Sequence, residues 1–574
     1  MIDGIYAAIL YSLRLQDRKQ FKRYFRRFLN DISNGSIMRT TPILFYKRLI
    51  ADKLFWFLTL FFIGIPLAHF SYIPIWDGWQ FSKCYLIAAQ TGSLSCFCHS
   101  SFLDIFLFSL TQRVALGDFQ LVYTVNILLG ILAIFSLRAL LKYLFDEHLS
   151  PVNLTLLAFC FGLNPIFLAH TIQPCLDFSL TVFFIMLLAS LFKNFYWRSI
   201  IIGTMLVFTK EPGFMLYCVS IFLYIAIKVM TESSRQEYKK SLSIGRIGLV
   251  IPILLFVIYM LRVPETQTGT SWNTPWIDVI IKMFKFDWDW RFVAAQFISV
   301  FIINFNWLMT SFVVINLFHQ IYVHSRHSIG QAFGFQRKYE KAYFLCLIIL
   351  IGYFLTRIPF VHNPRYVLSI TPLLVILFAE SLSELLKKQS LITWALGLML
   401  VLLLFSSLWT IDPIAKKVMG TFKFGRRDIL WMTNLEDSTL CGYGRDQLVY
   451  NFQFTQFDFL TEKMLNVIGW DKIYIIAPQF TFTDDFTKFD ITTKHRAIYG
   501  DRLRSLSFLT SSQILKKRGG LKEVYYVAYP NMDKDGINRT EMAKLLRIFT
   551  LKEVIRIADK GYAIDIFHFV IPGT

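Results

Sequence analysis

Long apolar runs, separated by short polar loops, recur between about residue 54 and residue 410 of this 574-residue chain. A helix needs about 20 mostly apolar residues to cross a bilayer. Runs that approach this length begin near Leu54, Leu121, Val152, Leu176, Ser199, Phe214, Ile247, Ala294, Tyr343, Tyr366 and Leu391. Charged residues make up only 17% of the chain, whereas they average about 25% in soluble globular domains. The pattern therefore predicts a polytopic α-helical membrane protein with about eleven spans.

Basic residues are concentrated in alternate loops, such as "KVMTESSRQEYKKSLSIGR" and "HSRHSIGQAFGFQRKYEK". Loops rich in Lys and Arg remain in the cytoplasm. We therefore predict a cytoplasmic basic arm over residues 1–52, which suits an anionic membrane surface, and a transmembrane domain over residues 53–410. The first apolar run would act as an uncleaved signal anchor. These topology signals explain the net charge of +20, so we predict contact with membrane lipids and no binding of nucleic acid.

The tail, residues 411–574, differs in composition from the rest of the chain. It is richer in charge and contains short β-rich runs, "KIYIIAP", "LKEVYYVAYP" and "KEVIRIADKGYAIDIFHFVI". The last run reads as a hairpin that turns at Asp559, Lys560 and Gly561. The segment "SSQILKKRGG" reads as a helix that ends at glycine. With eleven spans before it, this C-terminal α/β domain is predicted to be extracytoplasmic.

Polar residues collect at the predicted outer ends of the spans. The set comprises Asp77, His99, Asp104, Gln173, Asp177, Lys210, Glu211, His362, Arg365 and Tyr366. The predicted topology places all of them on one side of the membrane at similar depth, so we expect several to converge. Taken singly, each has an ordinary explanation, because the interface tolerates polar residues. Lys210 and Glu211 can neutralise each other, and Arg365 can extend to the headgroups.

A carboxylate near cations at an outer membrane edge permits a particular chemistry. The carboxylate can act as general base for an acceptor hydroxyl or amine. Lys and Arg can hold a phosphate leaving group. Because nucleotide sugars are cytoplasmic, sugar transfer on the outer face requires a donor carried by a lipid. The residues therefore indicate transfer of a sugar from a lipid phosphate to an acceptor outside the cytoplasm.

Five segments also follow one another as in a known family. They are "WDGWQF", "CHSSFLDIFLFSLTQRVALGDFQLVYTVNILLG", "NPIFLAHTIQPCLDFSLTVFFIMLLAS", "TKEPGF" and "NPRYVLSITPLL". Their order resembles the membrane-embedded GT-C glycosyltransferases, in particular the bacterial branch related to protein O-mannosyltransferases and the lipid A aminoarabinose transferase. The resemblance implies an inner or plasma membrane enzyme that inverts the sugar. Asp77 would deprotonate the acceptor, and Lys210 and Arg365 would contact the donor phosphate.

The resemblance also implies a sugar and acceptor pocket. Its candidate residues are Trp76, Trp79, His99, Gln173, Asp177, Glu211, His362 and Tyr366. The chain departs from the family at Gly78, where relatives often have a second acid, and at Ser100 and Ser101, which replace two prolines. The sequence supports no cofactor and gives no ligand set for a divalent metal, although one remains compatible with the family.

Two other functions stay open. A transporter or lipid flippase would use the same charged residues as a substrate or proton path, but the internal repeats typical of transporters are not recognisable in the sequence. A scaffold with an external binding domain gives no reason for acids and cations at membrane depth. Cys96 and Cys98 can be free thiols like Cys84, or one of them can pair with Cys84 in an oxidising compartment.

Overall fold

The structure is a computed structural model. It describes residues 53–70, 76–92, 102–115, 119–231, 244–262, 301, 305–326, 343–351, 365, 368–408, 421–424, 427–430, 463–469, 472–476, 507–509, 522–528, 542–559 and 562–572. The chain divides into two compact units, Met1–Phe61 and Phe62–Thr574. The described part of the first unit is the beginning of helix α1, and the remaining elements belong to the second.

The described part of the chain up to residue 408 is almost entirely helical. The helices are α1 (Lys53–Leu67), α2 (Trp76–Thr91), α3 (Phe102–Val114), α4 (Gln120–Phe145), α5 (Pro151–Gly162), α6 (Pro165–Ala169), α7 (Leu176–Phe192), α8 (Tyr196–Val207), α9 (Glu211–Thr231), α10 (Ile244–Gly248), α11 (Ile251–Arg262), α12 (Trp307–Arg326), α13 (Thr371–Leu385) and α14 (Gln389–Leu408). Residues 343–351 are also helical. Nearly all the predicted span starts thus coincide with helices.

One described helix, α4, is long and apolar enough to cross a membrane by length and composition. Several others are apolar but shorter. The run that begins near Val152 is divided into α5 and α6 because Asn164 caps α6, accepting a hydrogen bond from the Ile166 amide, and is followed by Pro165, which has no amide proton to donate. The starts predicted near Ala294 and Tyr366 lie outside the described residues, and the later part of the first of these runs lies in α12. The count of eleven spans therefore stays a prediction.

Helix α7 forms the centre of the helical part. Almost every residue along it is buried, and it packs against α4 on one side and α8 on another, while α5 packs against α4 and α14. The outward faces of other helices carry large exposed apolar side chains, among them Trp197, Phe222, Phe318 and Trp394. Exposed apolar surface of this extent is typical of contact with lipid or with another protein.

A tight helical hairpin, α8–α9, brings its connecting residues to the end of α7. The helices approach closely at Gly203, where a Cβ atom would lie 2.2 Å from the ring of Tyr217. The amide of Gly213 donates to the carbonyl of Lys210 at 2.8 Å. Because a side chain at residue 203 would collide with this ring, glycine allows the close contact that places Lys210 beside α7.

The tail contains two described sheets. Strands β1 (Thr421–Phe424) and β2 (Arg427–Leu430) form an antiparallel pair. Strands β3 (Ile473–Ile476), β4 (Ser507–Leu509), β5 (Glu523–Ala528), β6 (Thr550–Asp559) and β7 (Tyr562–Val570) form a mixed sheet in the order β4-β3-β5-β7-β6. The strands β3 and β5 and the hairpin β6–β7 lie where the sequence predicts strands. The helix predicted in "SSQILKKRGG" lies outside the described residues.

Successive residues of each strand point to opposite faces of the five-stranded sheet. One face buries Val524 and Tyr526 against Leu545 and Phe549. The alternate residues of β5, beginning with Glu523, share the other face. There His568 lies between two carboxylates, with Nε2 3.0 Å from Glu523 and Nδ1 3.0 Å from Glu553. The domain limits and the extracytoplasmic location of this tail stay predictions.

Candidate functional site

Asp177 lies in the first turn of α7, at the end of a short connection from α6. A carboxylate is favoured there because the first turn of a helix presents unpaired amide groups and the positive end of the helix dipole. Asp177 is nevertheless only 5% exposed. An acid with so little access to water requires charged or hydrogen-bonding partners.

Two cations provide that partnership. The Lys210 Nζ atom lies 2.8 Å from Oδ1 and 3.0 Å from Oδ2 of Asp177. The Arg365 Nε atom lies 3.8 Å from Oδ2, beyond hydrogen-bond distance but within ion-pair range. The side chains are 7% exposed in Lys210 and in Asp177 and 16% in Arg365. We call these three residues the cation clamp; it brings together positions that are far apart in the sequence.

The clamp defines one set of contacts of Lys210. The Lys210 ammonium group donates to both carboxylate oxygens of Asp177, while its neutralisation by the adjacent Glu211 stays a prediction. Glu211 is the first residue of α9, and its side chain is outside the described part of the structure. Two hydrogen-bonded contacts at a buried position orient the Lys210 ammonium group firmly.

Gln173 links the first turn of α2 to the clamp, because it contacts Gly78 of α2 and lies shortly before Asp177 in the sequence. Gly78 is buried, and a Cβ atom at this position would lie 2.3 Å from Nε2 and 2.6 Å from Cδ of Gln173. Gln173 itself is 5% exposed and precedes Asp177 by four positions. Asp77 immediately precedes Gly78 in the same turn, so its backbone lies beside the same connection.

Asp104 is a second buried acid, located in the first turn of α3 and 1% exposed. The start of α3 is held near the clamp because the Leu103 amide donates to the carbonyl of Phe208 at 3.2 Å, two residues before Lys210. Burial, together with the negative charge of Asp177, raises the pKa of Asp104 to about 8. Asp104 is therefore predominantly protonated at neutral pH, unlike an exposed aspartate.

The structure thus brings together Gln173, Asp177, Lys210 and Arg365 from the predicted set. It places Trp76, Asp77 and Trp79 in the first turn of α2 without describing their side chains. His99, His362 and Tyr366 lie outside the described residues. The sequence identifies Asp104 only as one of the outer polar residues. Its burial near Asp177 depends on the tertiary packing of α3, which has no local signal in the sequence.

One site residue was missed by the sequence interpretation. The Cys175 thiol lies 3.6 Å from Oδ2 of Asp177, to which it can donate a weak hydrogen bond. Its proximity to Asp177 in "QPCLD" is the one signal that identifies it. Within the described ranges, no three His, Cys, Asp or Glu side chains form a group that could hold a metal ion. Cys96 and Cys98 lie outside the described residues, so both alternatives for them, free thiols like Cys84 or a disulfide between one of them and Cys84, stay predictions.

Comparisons with known proteins give distant structural likenesses. No protein-family model matches the chain, and no curated protein matches it. The structure of ArnT from Cupriavidus metallidurans bound to undecaprenyl phosphate is similar over 90% of this chain and 97% of ArnT, with 11% identity and a TM-score of 0.46. Its apo structure is similar over 88% and 97%, with 11% identity and a TM-score of 0.44.

An oligosaccharyltransferase from Archaeoglobus fulgidus, tethered to an acceptor peptide, is similar over 81% of this chain and 65% of its own. The identity is 9% and the TM-score 0.36. Structural likenesses with TM-scores below 0.5 do not establish a function.

Proposed function

We propose that this chain is an integral membrane glycosyltransferase of the GT-C type. It moves a sugar from a polyprenyl-phosphate donor to a glycan, lipid or protein acceptor on the extracytoplasmic face, with inversion at the anomeric carbon. The observation that carries the proposal is the buried cation clamp beside the helical turn of Asp77. The family resemblance of the sequence supports the same reaction.

The clamp suits a phosphate group that gains charge during the reaction. The phosphodiester of a polyprenyl-phosphate sugar carries one negative charge, and the polyprenyl phosphate that leaves carries up to two. Lys210 and Arg365 therefore interact more strongly with the leaving group than with the bound donor, which is the condition for catalysis. Asp177 keeps the ammonium group of Lys210 in place, with Nζ–O distances of 2.8 and 3.0 Å.

Asp77 is proposed as the general base. The oxygen or nitrogen of the acceptor attacks the anomeric carbon while the bond from that carbon to the phosphate oxygen breaks, and the bonding electrons stay on the phosphate. The acceptor proton passes to the carboxylate of Asp77. A single displacement of this kind inverts the anomeric carbon. The remaining pocket candidates, including Trp76 and Trp79, would surround the sugar.

The positions of the charged groups favour transfer over transport. Asp177 lies in the first turn of α7, and Lys210 directly precedes α9. A transporter or flippase requires ionisable groups along the depth of a substrate path. The clamp residues instead meet at helix ends, where a headgroup phosphate of a lipid donor would be located.

The proposal is tested by sugar transfer in proteoliposomes that contain a labelled polyprenyl-phosphate sugar and envelope acceptors. Lys210→Ala should reduce kcat by about 100-fold, the effect of removing one donor that stabilises developing charge. Lys193→Ala is the matched control because Lys193 lies at the opposite end of α7. Equal rates for the two variants would refute the phosphate-binding role of Lys210.

A further inference from the structure

Gly78 and Gln173 are in direct contact across the site. A Cβ atom built on Gly78 would lie 2.3, 2.6 and 3.0 Å from Nε2, Cδ and Oε1 of Gln173. All three atoms belong to the carboxamide, so the whole amide group covers the space above the glycine. A side chain at residue 78 would therefore force the carboxamide of Gln173 to move.

The contact is anchored at both ends. The hydroxyl of Ser82 donates to the carbonyl of Gly78 at 2.7 Å within α2. On the other side, the carbonyl of Gln173 lies 3.3 Å from Nδ1 of His170, and its amide donates to the carbonyl of Ala169 at 3.2 Å. The short connection that contains Gln173 then leads into the first turn of α7, which carries the clamp carboxylate.

We infer that Gln173 is a positioning residue: packed on Gly78, it sets the spacing between Asp77 and the cation clamp. This inference rests on the proposed function. In an in-line displacement, the base and the leaving phosphate must lie on opposite sides of the anomeric carbon. The carboxamide of Gln173 lies between the first turn of α2, which carries Asp77, and the connection that leads to the cation clamp.

The same contact accounts for the departure of this chain from the family pattern. The sequence departs at Gly78 from the family that it resembles, in which a second acid often stands at this position. Here a side chain at that position would overlap the carboxamide of Gln173. A side chain at residue 78 would therefore displace the carboxamide of Gln173, which occupies the space next to the turn of Asp77.

The test is a double-mutant cycle on the full-length chain. Gly78→Ala should lower kcat by about 100-fold, the cost of a displacement of about 1 Å at a reacting centre. The KM for the donor should stay unchanged, because the clamp is not altered. Gly78→Ala combined with Gln173→Ala should recover the activity of Gln173→Ala alone, since the second change removes the colliding atoms.

Gly397→Ala is the matched control, because a Cβ atom there would meet no heavy atom within 4 Å. The inference is overturned if Gly78→Ala is as active as this control, if the double variant is as inactive as Gly78→Ala, or if KM changes in place of kcat. Melting temperatures of the same variants report the contact independently of activity. A wild-type chain that transfers no sugar would refute the proposed function, while non-additive melting temperatures would still verify the contact.

Discussion

Asp177→Asn removes the negative charge from the cation clamp and leaves the shape of the side chain nearly unchanged. Lys210 and Asp177 are 2.8 Å apart, and both side chains are 7% exposed. Two unit charges about 3 Å apart attract each other by about 5 kcal/mol at an effective dielectric constant of about 20. Breaking a buried pair by removing one partner typically costs about 3–5 kcal/mol, because the other charge stays buried.

We therefore expect Asp177→Asn to lower the free energy of unfolding by about 3–5 kcal/mol. The assay is thermal unfolding in detergent, followed by tryptophan fluorescence, with and without polyprenyl phosphate. The added phosphate should stabilise the variant more than the wild type, because it supplies the missing negative charge to Lys210 and Arg365. The difference in melting temperature between them should shrink accordingly.

Two further variants make the result specific. Asp146→Asn changes an exposed aspartate at the end of α4 and should leave stability unchanged. Asp177→Leu combined with Lys210→Met removes both charges, so it should recover most of the stability, as apolar replacements of buried pairs often do. The reasoning would be refuted if Asp177→Asn were as stable as Asp146→Asn. It would also be refuted if polyprenyl phosphate stabilised the wild type and Asp177→Asn equally.

Three other variants test separate parts of the structure by the same unfolding assay. Because the raised pKa of Asp104, about 8, lies above its value of about 4 in the unfolded chain, its stabilising effect is complete below about pH 4 and declines up to about pH 8. Asp104→Asn should remove this decline; parallel pH curves for wild type and variant would contradict it. The hydrogen bond from Lys472 lowers the pKa of Glu523, so its contribution is present above about pH 4 and lost as the pH falls through the lowered pKa. Glu523→Gln should therefore lower the melting temperature at pH 7 and have no effect in acid, and an equal effect at both pH values would count against the ion pair. Gln389→Ala removes the oxygen that accepts from Asn153 Nδ2 at 2.9 Å and should cost about 1 kcal/mol; unchanged stability would show that this contact between α5 and α14 is not needed.

Much of the helical architecture follows from the sequence, because apolar runs and helix-capping residues are local signals. The hairpin β6–β7 is similarly local, since a glycine turn separates two β-rich runs. Helix lengths were harder to predict. The division of α5 from α6 depends on Asn164 and Pro165, whose effect is visible in the sequence but was outweighed by the apolar run around them.

Several residues of the candidate site could be predicted from the sequence, but the contacts between them could not. Topology alone indicates that Asp177 and Lys210 lie on one side of the membrane. Their pairing is a tertiary contact between the first turn of α7 and the residue that precedes α9, and the sequence next to Lys210 gives no guide to it. The contact between Gly78 and Gln173 likewise joins distant positions and leaves no local pattern.

The central claim is that this chain transfers a lipid-borne sugar with Asp77 as base. The most direct measurement compares envelope glycans and polyprenyl-phosphate sugars by mass spectrometry in cells that express wild type or Asp77→Asn at equal levels. The proposed function predicts that the variant lacks one sugar on a defined acceptor and accumulates the donor. Identical glycans and donor levels in both cells would contradict it.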